Sequence, residues 1–510
     1  MVNCMGSLAL LCLVAYFSLL GLLTVYGVHR TWLLWRLRRH PLLASKLSPP
    51  VHLPSVTVQL PIYNERYVVE RLIDAVCALD YPVDRLEVQV LDDSTDDTVR
   101  IAGERVTRFR AEGFPIVHLR RSDRRGFKAG ALEAGMHAAK GDLIAVFDAD
   151  FVPSPAFLRR CVGAFVDSSV GMVQARWGHL NVDYSRLTRV QAVLLEGHFQ
   201  IEHASRHAAG HLFNFNGTAG IWRRSCIEDA GGWQHDTLTE DLDLSYRAQL
   251  KGWRFIYLPE VVAPAELPVE MSAFKGQQRR WAKGSIQTGL KLLPGILRSR
   301  LPWGVKLEAF FHLSANLCYL GMVLLTFLMP IAAVVRATHS GPALLLIDGP
   351  LFAMSLVSVA GFYLEAQRGL EPSFWRRLAR IPWVMAVGVG ISLSNGLAVL
   401  EALRGVESPF LRTPKHRIEH QGDRPRGYRG ASGPLPWLEL AVASYLLMGM
   451  VYLVRAGAWL TLPFLTLFFA GFLYVGLSSL QFGRTLAGEA RREKPLEGST
   501  LEEAPLRKAH

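Results

Sequence analysis

Long apolar runs on both sides of a polar segment are the feature that most constrains this chain. An apolar run of about twenty residues is typical of a transmembrane helix. Half of the 510 residues are hydrophobic and 20% are charged, which excludes intrinsic disorder and a small disulfide-bonded scaffold. The sequence therefore predicts a membrane protein with a large polar insert. Such runs occur at residues 6–28, 313–335, 343–364, 381–403, 437–454 and 458–482.

The positive charge follows the apolar runs. The formal net charge is +12, and its Lys and Arg residues cluster at 29–39, 376–380 and 404–429, each beside an apolar run. This distribution follows the positive-inside rule and indicates a cytoplasmic polar segment; a nucleic-acid partner is not expected. The 6 cysteines are scattered and include no C-x-x-C pair, which argues against a zinc site or a disulfide framework and fits a reducing compartment.

The apolar run at 381–403 differs from the others because basic residues flank it on both sides. It also holds Gly388, Asn395 and Glu401, and the polar side chains of Asn395 and Glu401 are costly to expose to lipid. We therefore predict a re-entrant or interfacial helix buried against protein, leaving five crossings and a cytoplasmic tail. The alternative is a sixth simple crossing, which would reverse the last two helices.

The polar segment alternates short β-rich runs with helical patterns. Predicted strands at 56–61, 86–91, 116–119 and 143–147 are separated by predicted helices at 66–79, 96–110 and 128–139. Such a βαβ series predicts an α/β fold with one open, mostly parallel sheet and helices on both faces. In sheets of this kind the ligand lies beyond the C-terminal ends of the strands.

Carboxylates stand at two of these strand ends. Asp92 and Asp93 follow the second strand, where a carboxylate can accept hydrogen bonds from a nucleoside base or ribose, although acidic residues are also common helix caps. Asp148 and Asp150 follow the fourth strand at i, i+2 and so project to the same side of extended chain. That pair suits Mg²⁺ or Mn²⁺ shared with phosphate oxygens, although the same pattern occurs on solvated loops.

Two motifs further along combine acidic or basic groups with a helix. In Thr239-Glu240-Asp241, at a predicted helix start, Asp241 is a candidate general base, and the alternative is a simple N-terminal cap. In residues 277–281, Gln277 and Arg280 stand beside Trp281, and this set suits a diphosphate and a sugar ring. The alternative is an amphipathic helix that lies on lipid headgroups.

Two weaker patterns favour structural roles. Residues 216–218 match an N-glycosylation sequon, but the predicted cytoplasmic location favours a turn. His203, His207 and His211 recur every four residues, which suggests a metal site in principle. No further ligands complete such a site in the sequence, so a polar helix face is the better interpretation.

Taken in order, the motifs resemble those of the processive family 2 glycosyltransferases, which carry D, DxD, TED and QxxRW motifs. Residues 215–223, 230–233 and 277–281 look most like the cellulose-synthase-like mannan and glucomannan synthase branch. Residues 410–415 look like the FxVTxK gating loop of cellulose synthases, with Arg412 in place of the valine. The matching segments are Asp92-Asp93-Ser94, Lys128-Ala129-Gly130-Ala131-Leu132, Asp148-Ala149-Asp150, Thr239-Glu240-Asp241 and Gln277-x-x-Arg280-Trp281.

The resemblance implies a role for each matching residue. The fold would be a GT-A domain, and its reaction would be an inverting transfer of hexose from a nucleotide sugar to a β-glycan. The donor would be GDP-mannose or UDP-glucose, and the cofactor Mg²⁺ or Mn²⁺. The implied roles are donor binding for Asp92, Asp93, Lys128, Asp148, Asp150 and Arg280, metal binding for Asp148 and Asp150, proton abstraction for Asp241, acceptor binding for Gln277 and Trp281, and gating for Phe410, Thr413 and Lys415.

The resulting organisation places the catalytic domain between membrane segments. A multi-pass bacterial inner-membrane protein is preferred, and a Golgi membrane would present the same topology. The expected partners are the nucleotide sugar, the growing polysaccharide and the lipid bilayer, while accessory subunits and oligomeric state are left open. The predicted regions are an anchor at 1–30, a GT-A domain at 51–270, interface helices at 271–305, two transmembrane helices at 306–366, the re-entrant or interfacial helix at 381–403, a gating-type loop at 404–434, two transmembrane helices at 437–482 and a cytoplasmic tail at 483–510.

Two other functions fit parts of the pattern. The sheet motifs alone equally permit a non-processive transferase that glycosylates a membrane lipid. A transport or receptor protein that only binds nucleotide sugars would need no catalytic base, so Asp241 argues against it. The gating-type loop and Trp281 favour a processive β-glycan synthase, in which the growing chain passes through the membrane helices.

Overall fold

The computed structural model describes residues 2–42, 50–339, 345–410, 412–425, 433–457 and 459–492. Its first element is the long helix α1 (Val2–Arg39), whose last turn is basic. Some parts of the predicted organisation lie outside the described residues. They are residue 1 of the anchor, residues 340–344 and 458 of the predicted transmembrane regions, Leu411 and residues 426–432 of the gating-type loop, and residues 493–510 of the tail.

A seven-stranded sheet forms the centre of the polar segment, in the order β3-β2-β1-β4-β6-β5-β7. Only β6 runs antiparallel to its neighbours among these strands, so the predicted open, mostly parallel sheet is confirmed. The four predicted strands are β1 to β4, and β5 to β7 extend the sheet beyond β4. The strands are β1 (Val56–Ile62), β2 (Leu86–Asp92), β3 (Ile116–Arg120), β4 (Leu143–Val146), β5 (Val170–His179), β6 (Gly220–Arg223) and β7 (Arg254–Ala265).

Helices cover both faces of the sheet, as the βαβ series predicts. Side chains alternate along β4, so that Leu143 and Ala145 pack on one face and Ile144 and Val146 pack on the other. The first face packs against α2, α3 and α5, and the second against α4, α8 and α9. The helices are α2 (Val69–Cys77), α3 (Thr98–Ala111), α4 (Phe127–Ala138), α5 (Phe157–Val162), α6 (Arg186–Glu196), α7 (Ala204–Ala208), α8 (Arg224–Asp229) and α9 (Glu240–Leu250).

The C-terminal part of the chain is helical. Within the described residues, five helices are long and apolar enough to cross a membrane, and α1 is the first of them, so the chain is a membrane protein. The other four are α12, α13, α16 and α17. The helices of this part are α10 (Met271–Arg298), α11 (Trp303–Ser314), α12 (Leu317–His339), α13 (Leu345–Ala366), α14 (Phe374–Gly390), α15 (Ser392–Leu403), α16 (Leu435–Arg455) and α17 (Leu462–Arg492).

The apolar run at 381–403 is not one straight helix. It falls on α14 and α15, which are bent by 41° at Ile391. Ser392 and Asn395, next to the bend, are buried against protein. Such a bend is the geometry of either a broken span or a re-entrant segment, so the re-entrant helix stays a prediction.

Close packing of α14 on α17 depends on two glycines. A Cβ on Gly471 would clash with the carbonyl oxygen of Ala386, and one on Gly390 would clash with the carbonyl oxygen of Gly471. Small residues allow helix backbones to approach in this way in membranes. The contact fixes the bent pair α14–α15 against the last membrane helix.

We expect Gly471→Ala to lower the melting temperature of the purified protein by several degrees, because overpacking costs about 1–3 kcal/mol. Gly388→Ala on α14 is the matched control, since a Cβ there meets no atom within 4 Å. Alanine has the higher helix propensity, so the control should be neutral or stabilising. Equal melting temperatures for the two variants would contradict the close contact.

Candidate active site

Strand ends converge on one cleft at the C-terminal edge of the parallel strands. Segments after β1, β2, β4 and β7 meet there with the end of β5, the start of α9, one face of α10 and the loop before α16. The register pairs Ile62 with Asp92 and Gln59 with Val146, which brings these strand ends to one edge. Predicted site residues that line the cleft are Asp93, Lys128, Asp148, Asp150, Asp241, Gln277, Arg280, Trp281, Phe410, Thr413 and Lys415.

Asp92 is the predicted donor residue that the structure places elsewhere. Its side chain is buried beneath the cleft, where Oδ2 lies 2.9 Å from His118 Nε2 and Oδ1 accepts a hydrogen bond from the Ser94 backbone N–H. Burial favours a raised pKa for Asp92, but these hydrogen bonds lower the pKa below its ordinary value. The Asp92 carboxylate thus holds the turn after β2, and its role in donor binding stays a prediction.

Asp93, the next residue, does face the cleft. The Arg121 guanidinium donates two hydrogen bonds to the Asp93 carboxylate, from Nε to Oδ1 at 2.9 Å and from NH2 to Oδ2. The same guanidinium donates to the backbone carbonyls of Arg125 and Phe127. The Arg121 guanidinium therefore fixes both the Asp93 carboxylate and the loop that leads into α4.

The Asp148 and Asp150 carboxylates are each bound by a lysine. Lys128 Nζ lies 2.6 Å from Asp148 Oδ1 and 2.8 Å from the carbonyl oxygen of Gly217, and Lys415 pairs with Asp150. Burial alone would raise the pKa of Asp148, but Lys128 and Lys415 hold it below the ordinary value. Each carboxylate thus has a lysine ammonium as its immediate partner.

Glu240 and Asp241 open α9 at the cleft. Thr239, at the N-cap position, makes no side-chain cap hydrogen bond, so the simple capping interpretation does not account for the motif. Burial raises the pKa of Asp241, the adjacent Glu240 raises it further, and Lys128 opposes both. A carboxylate placed in this way is poised to accept a proton near neutral pH.

Gly217 makes room for this arrangement. Its φ of 78° is left-handed, and a Cβ would lie 3.0 Å from Asp241 Oδ2 and 3.3 Å from Lys128 Nζ. The sequon at 216–218 is thus a turn in the cleft wall. Asn216 Oδ1 lies 2.8 Å from His198 Nε2, and Asn216 Nδ2 lies 3.0 Å from His203 Nε2.

The histidines at 203, 207 and 211 lie inside the protein. His203 and His211 are buried, and burial lowers the pKa of all three imidazoles. His203 Nε2 lies 2.8 Å from the carbonyl oxygen of Asn214. The polar helix face is therefore an internal packing surface that supports the turn at Gly217.

Helix α10 presents different residues on two sides. Gln277, Arg280 and Trp281 face the cleft, where the Arg280 Cζ lies 4.5 Å from the ring centroid of Phe410. The centroids of the Trp281 and Trp177 rings are 6.4 Å apart. This face combines a guanidinium with an aromatic surface large enough for a sugar ring.

The other side of α10 contacts membrane helices. Lys275 Nζ lies 2.6 Å from Glu439 Oε1 on α16, and Arg279 and Lys283 both bind Glu401 on α15. These three basic side chains pair with protein carboxylates. The alternative in which they lie on lipid headgroups is therefore wrong for them.

The loop after α15 lies across the cleft. Phe410 stacks on Phe127 with centroids 6.0 Å apart, and Arg412 NH1 lies 3.3 Å from Glu65 Oε2. The backbone N–H groups of His416 and Arg417 each donate to a Glu266 carboxylate oxygen at 2.9 Å. The segment predicted to act as a gating loop is thus anchored inside the site.

Several cleft residues were not identified from the sequence. Glu65 and Glu266 are buried carboxylates, and burial raises the pKa of each to about 7. Glu266 directly follows β7. Ligands bind at the C-terminal ends of parallel strands, so a prediction of β7 from the sequence would have identified Glu266 as a site residue. Trp177 and His179, near the end of β5, carry no motif that marks them.

Three buried polar atoms in the cleft lining have no hydrogen-bond partner in the described part of the chain. They are Trp177 Nε1, His179 Nε2 and Thr413 Oγ1. Unpaired buried polar groups are costly, and a bound ligand with hydroxyl or phosphate oxygens would satisfy them. The cleft therefore suits a ligand with several hydroxyl or phosphate oxygens.

The sheet and its cleft define an α/β domain of the GT-A type. The mannosyltransferase PcManGT of Pyrobaculum calidifontis, solved in complex with GDP-Man and Mn²⁺, superposes on this chain with a TM-score of 0.50. The match covers 77% of this chain and all of that structure at 23% sequence identity. The likeness supports the fold.

Residues 54–284 match the family described as Glycosyltransferase like family 2, so the chain carries a family 2 glycosyltransferase domain. Glucomannan 4-beta-mannosyltransferase 1 of Oryza sativa subsp. japonica is 45% identical over 255 residues, which cover 48% of each chain. Glucomannan 4-beta-mannosyltransferase 2 of Arabidopsis thaliana is 42% identical over 252 residues, covering 48% of this chain and 47% of that protein. The chain spans about half the length of these curated relatives, and the family resemblance is confirmed for the polar domain.

We expect Arg412→Gln to accelerate hydrogen exchange of the His416 and Arg417 backbone amides by about tenfold or more. The substitution removes a cationic partner of the buried Glu65, and the loop that Arg412 holds to the site then opens. Exchange mass spectrometry of the full chain measures this. Arg424→Gln is the matched control, since Arg424 is exposed on the same loop. Unchanged exchange in Arg412→Gln would show that the ion pair does not hold the loop.

Proposed function

We propose that the protein is a membrane-embedded, processive, inverting hexosyltransferase that adds mannose from GDP-mannose to the end of a growing β-glycan. The observation that carries this proposal is the single cleft in which Asp148, Asp150 and Asp241 meet Arg280 and Trp281. The relatives named as glucomannan 4-beta-mannosyltransferases favour mannose over glucose as the sugar.

Donor binding would use the charged wall of the cleft. Asp93 is held in place by Arg121 and is suited to accept hydrogen bonds from the nucleoside. Lys128 and Arg280 bring positive charge to the same cleft as Asp148, where a diphosphate would need neutralisation. Asp92 contributes indirectly by holding the turn on which Asp93 stands.

Asp148 and Asp150 fit a hard divalent cation, because both are ionisable carboxylates in the cleft. No set of three or more His, Cys, Asp or Glu side chains in the described ranges is arranged to hold a metal, so phosphate oxygens of the donor would complete the coordination. When bound, Mg²⁺ or Mn²⁺ would neutralise charge on the departing diphosphate.

Asp241 would act as the general base. Its raised pKa matches a group that takes a proton from the acceptor hydroxyl as that oxygen bonds to the anomeric carbon. The bond from the anomeric carbon to the diphosphate oxygen breaks in the same displacement, so the configuration inverts to a β-linkage. Lys128 and Arg280 stabilise the negative charge on the leaving diphosphate.

The acceptor end would lie on the aromatic side of the cleft. Trp281 and Trp177 offer adjacent ring faces for a sugar, and Gln277 adds an amide. Thr413 Oγ1 and His179 Nε2 have no hydrogen-bond partner among the described residues and would bind hydroxyl groups of the sugar. Helix α10 connects this site directly to α15 and α16, which supports passage of the product through the membrane helices.

The cellular membrane stays a prediction. The bacterial inner membrane preferred from the sequence gains no support from the relatives named above, which come from Oryza sativa and Arabidopsis thaliana. A Golgi membrane is compatible with the same topology. The bilayer, the nucleotide sugar and the growing polysaccharide are the partners that the proposal requires.

We expect Asp241→Asn to reduce incorporation of labelled mannose from GDP-mannose into polymer by about 10²-fold or more, because the amide cannot accept the proton. Asp84→Asn is the control, since Asp84 is 80% exposed and does not line the cleft. Gel analysis of the wild-type product tests processivity, and long chains are expected.

Two results would contradict the proposal. Unchanged incorporation by Asp241→Asn would show that Asp241 is not the catalytic base. Products limited to lipids that carry a single sugar would instead identify a non-processive lipid glycosyltransferase.

A further inference from the structure

A second cavity lies at the junction of the first membrane helix and the catalytic domain. It encloses about 200 Å³ between the cytoplasmic end of α1 and helix α7. Arg36 near the end of α1 and His40 just after it line one side, and Ser205 and Ala208 of α7 with the following Ala209 line the other. No residue of the active-site cleft lines it in the described part of the chain.

The cavity lining is suited to an anion. Arg36 makes no ion pair with a carboxylate within the described ranges, and its nearest polar contact is His211 Nε2 at 3.5 Å from NH1. Nearby acidic groups are already engaged, since Glu308 binds His29 and Arg206. A guanidinium without a carboxylate partner favours phosphate oxygens as ligands.

Ser205 provides a second, independent sign of a ligand. Its side chain is 1% exposed, yet Oγ has no hydrogen-bond partner among the described residues. A buried hydroxyl is costly to leave unpaired, and this one lines the cavity beside Arg36. Ala208 and Ala209 leave room for an anion to reach it.

The position of the cavity matches the depth of lipid headgroups. The candidate membrane span ends at Arg39, and Trp32 and Trp35 are exposed near its end. The guanidinium carbons of Arg36 and Arg39 lie 5.1 Å and 4.8 Å from the Trp32 and Trp35 ring centroids. Tryptophan and arginine in this arrangement are typical of the cytoplasmic membrane interface.

We propose that this cavity binds the phosphate of a glycerophospholipid headgroup through Arg36, His40 and Ser205. Inorganic phosphate offers the same chemistry. Arg36 of the cavity also contacts Trp32, which is exposed near the end of the candidate membrane span, and lipid phosphate is concentrated at such an interface. The bound lipid would join the membrane helix to α7 and so to the catalytic domain. This site is separate from the proposed glycosyl transfer and does not depend on it.

Native mass spectrometry of the full chain in detergent, titrated with phosphatidic acid, tests the proposal. We expect Arg36→Gln to weaken binding of one phosphatidic acid about tenfold, because it removes a charge-assisted hydrogen bond. Ser205→Ala should weaken binding less and in the same direction. Arg39→Gln is the matched control, because Arg39 is a neighbouring interfacial arginine that does not line the cavity.

A parallel titration with inorganic phosphate distinguishes the two sources of the anion. Tighter binding of phosphatidic acid, with loss in Arg36→Gln and retention in Arg39→Gln, would support the lipid site. Equal weakening in both arginine variants, or none in Arg36→Gln, would overturn it. Binding of inorganic phosphate without phosphatidic acid would overturn the assignment to lipid.

Discussion

The rest of the structure depends on the neutralisation of carboxylates gathered at one edge of the sheet. Buried negative charges repel each other and are stable only with cations close by. The matching cations come from distant parts of the chain, including α4, α10 and the loop before α16. The seven carboxylates that line the cleft are Glu65, Asp93, Asp148, Asp150, Glu240, Asp241 and Glu266, and the basic side chains among them are Arg124, Lys128, Arg280, Arg412 and Lys415.

Helix α10 carries this electrostatic coupling into the membrane region. Its cleft side presents Arg280, while Lys275 and Lys283 pair with carboxylates on α16 and α15. Breaking a buried pair leaves an uncompensated charge, which typically costs about 3–5 kcal/mol. A shift of α10 would therefore disturb the cleft and the helices α15 and α16 together.

Local patterns were sufficient to predict the parallel strands β1 to β4 and part of the charged site. Strand β4 is short and apolar, and Asp148 and Asp150 come just after it. The position of these two carboxylates in the cleft therefore follows from the strand alone. The motifs at Asp241 and Arg280 were found because each is compact in sequence. By contrast, Asp92 carries the same pattern as Asp93. Only the burial of Asp92 against His118 and the contact of Asp93 with Arg121 distinguish the two residues.

The remaining site residues depend on pairings that no local pattern reveals. Arg412 and Glu65 are 347 positions apart, and Lys415 and Asp150 are 265 apart. The bend at Ile391 and the close packing of α14 on Gly471 are likewise not encoded in hydropathy. Such features become visible only when the chain is folded.

A donor competition followed by linkage analysis tests the central claim most directly. The purified protein would receive GDP-mannose and UDP-glucose with different labels, together with Mn²⁺, and the polymer would be analysed for sugar and anomeric configuration. The account predicts β-linked mannose as the main incorporated sugar. Polymer with α-linkages, or no incorporation from either donor, would contradict it.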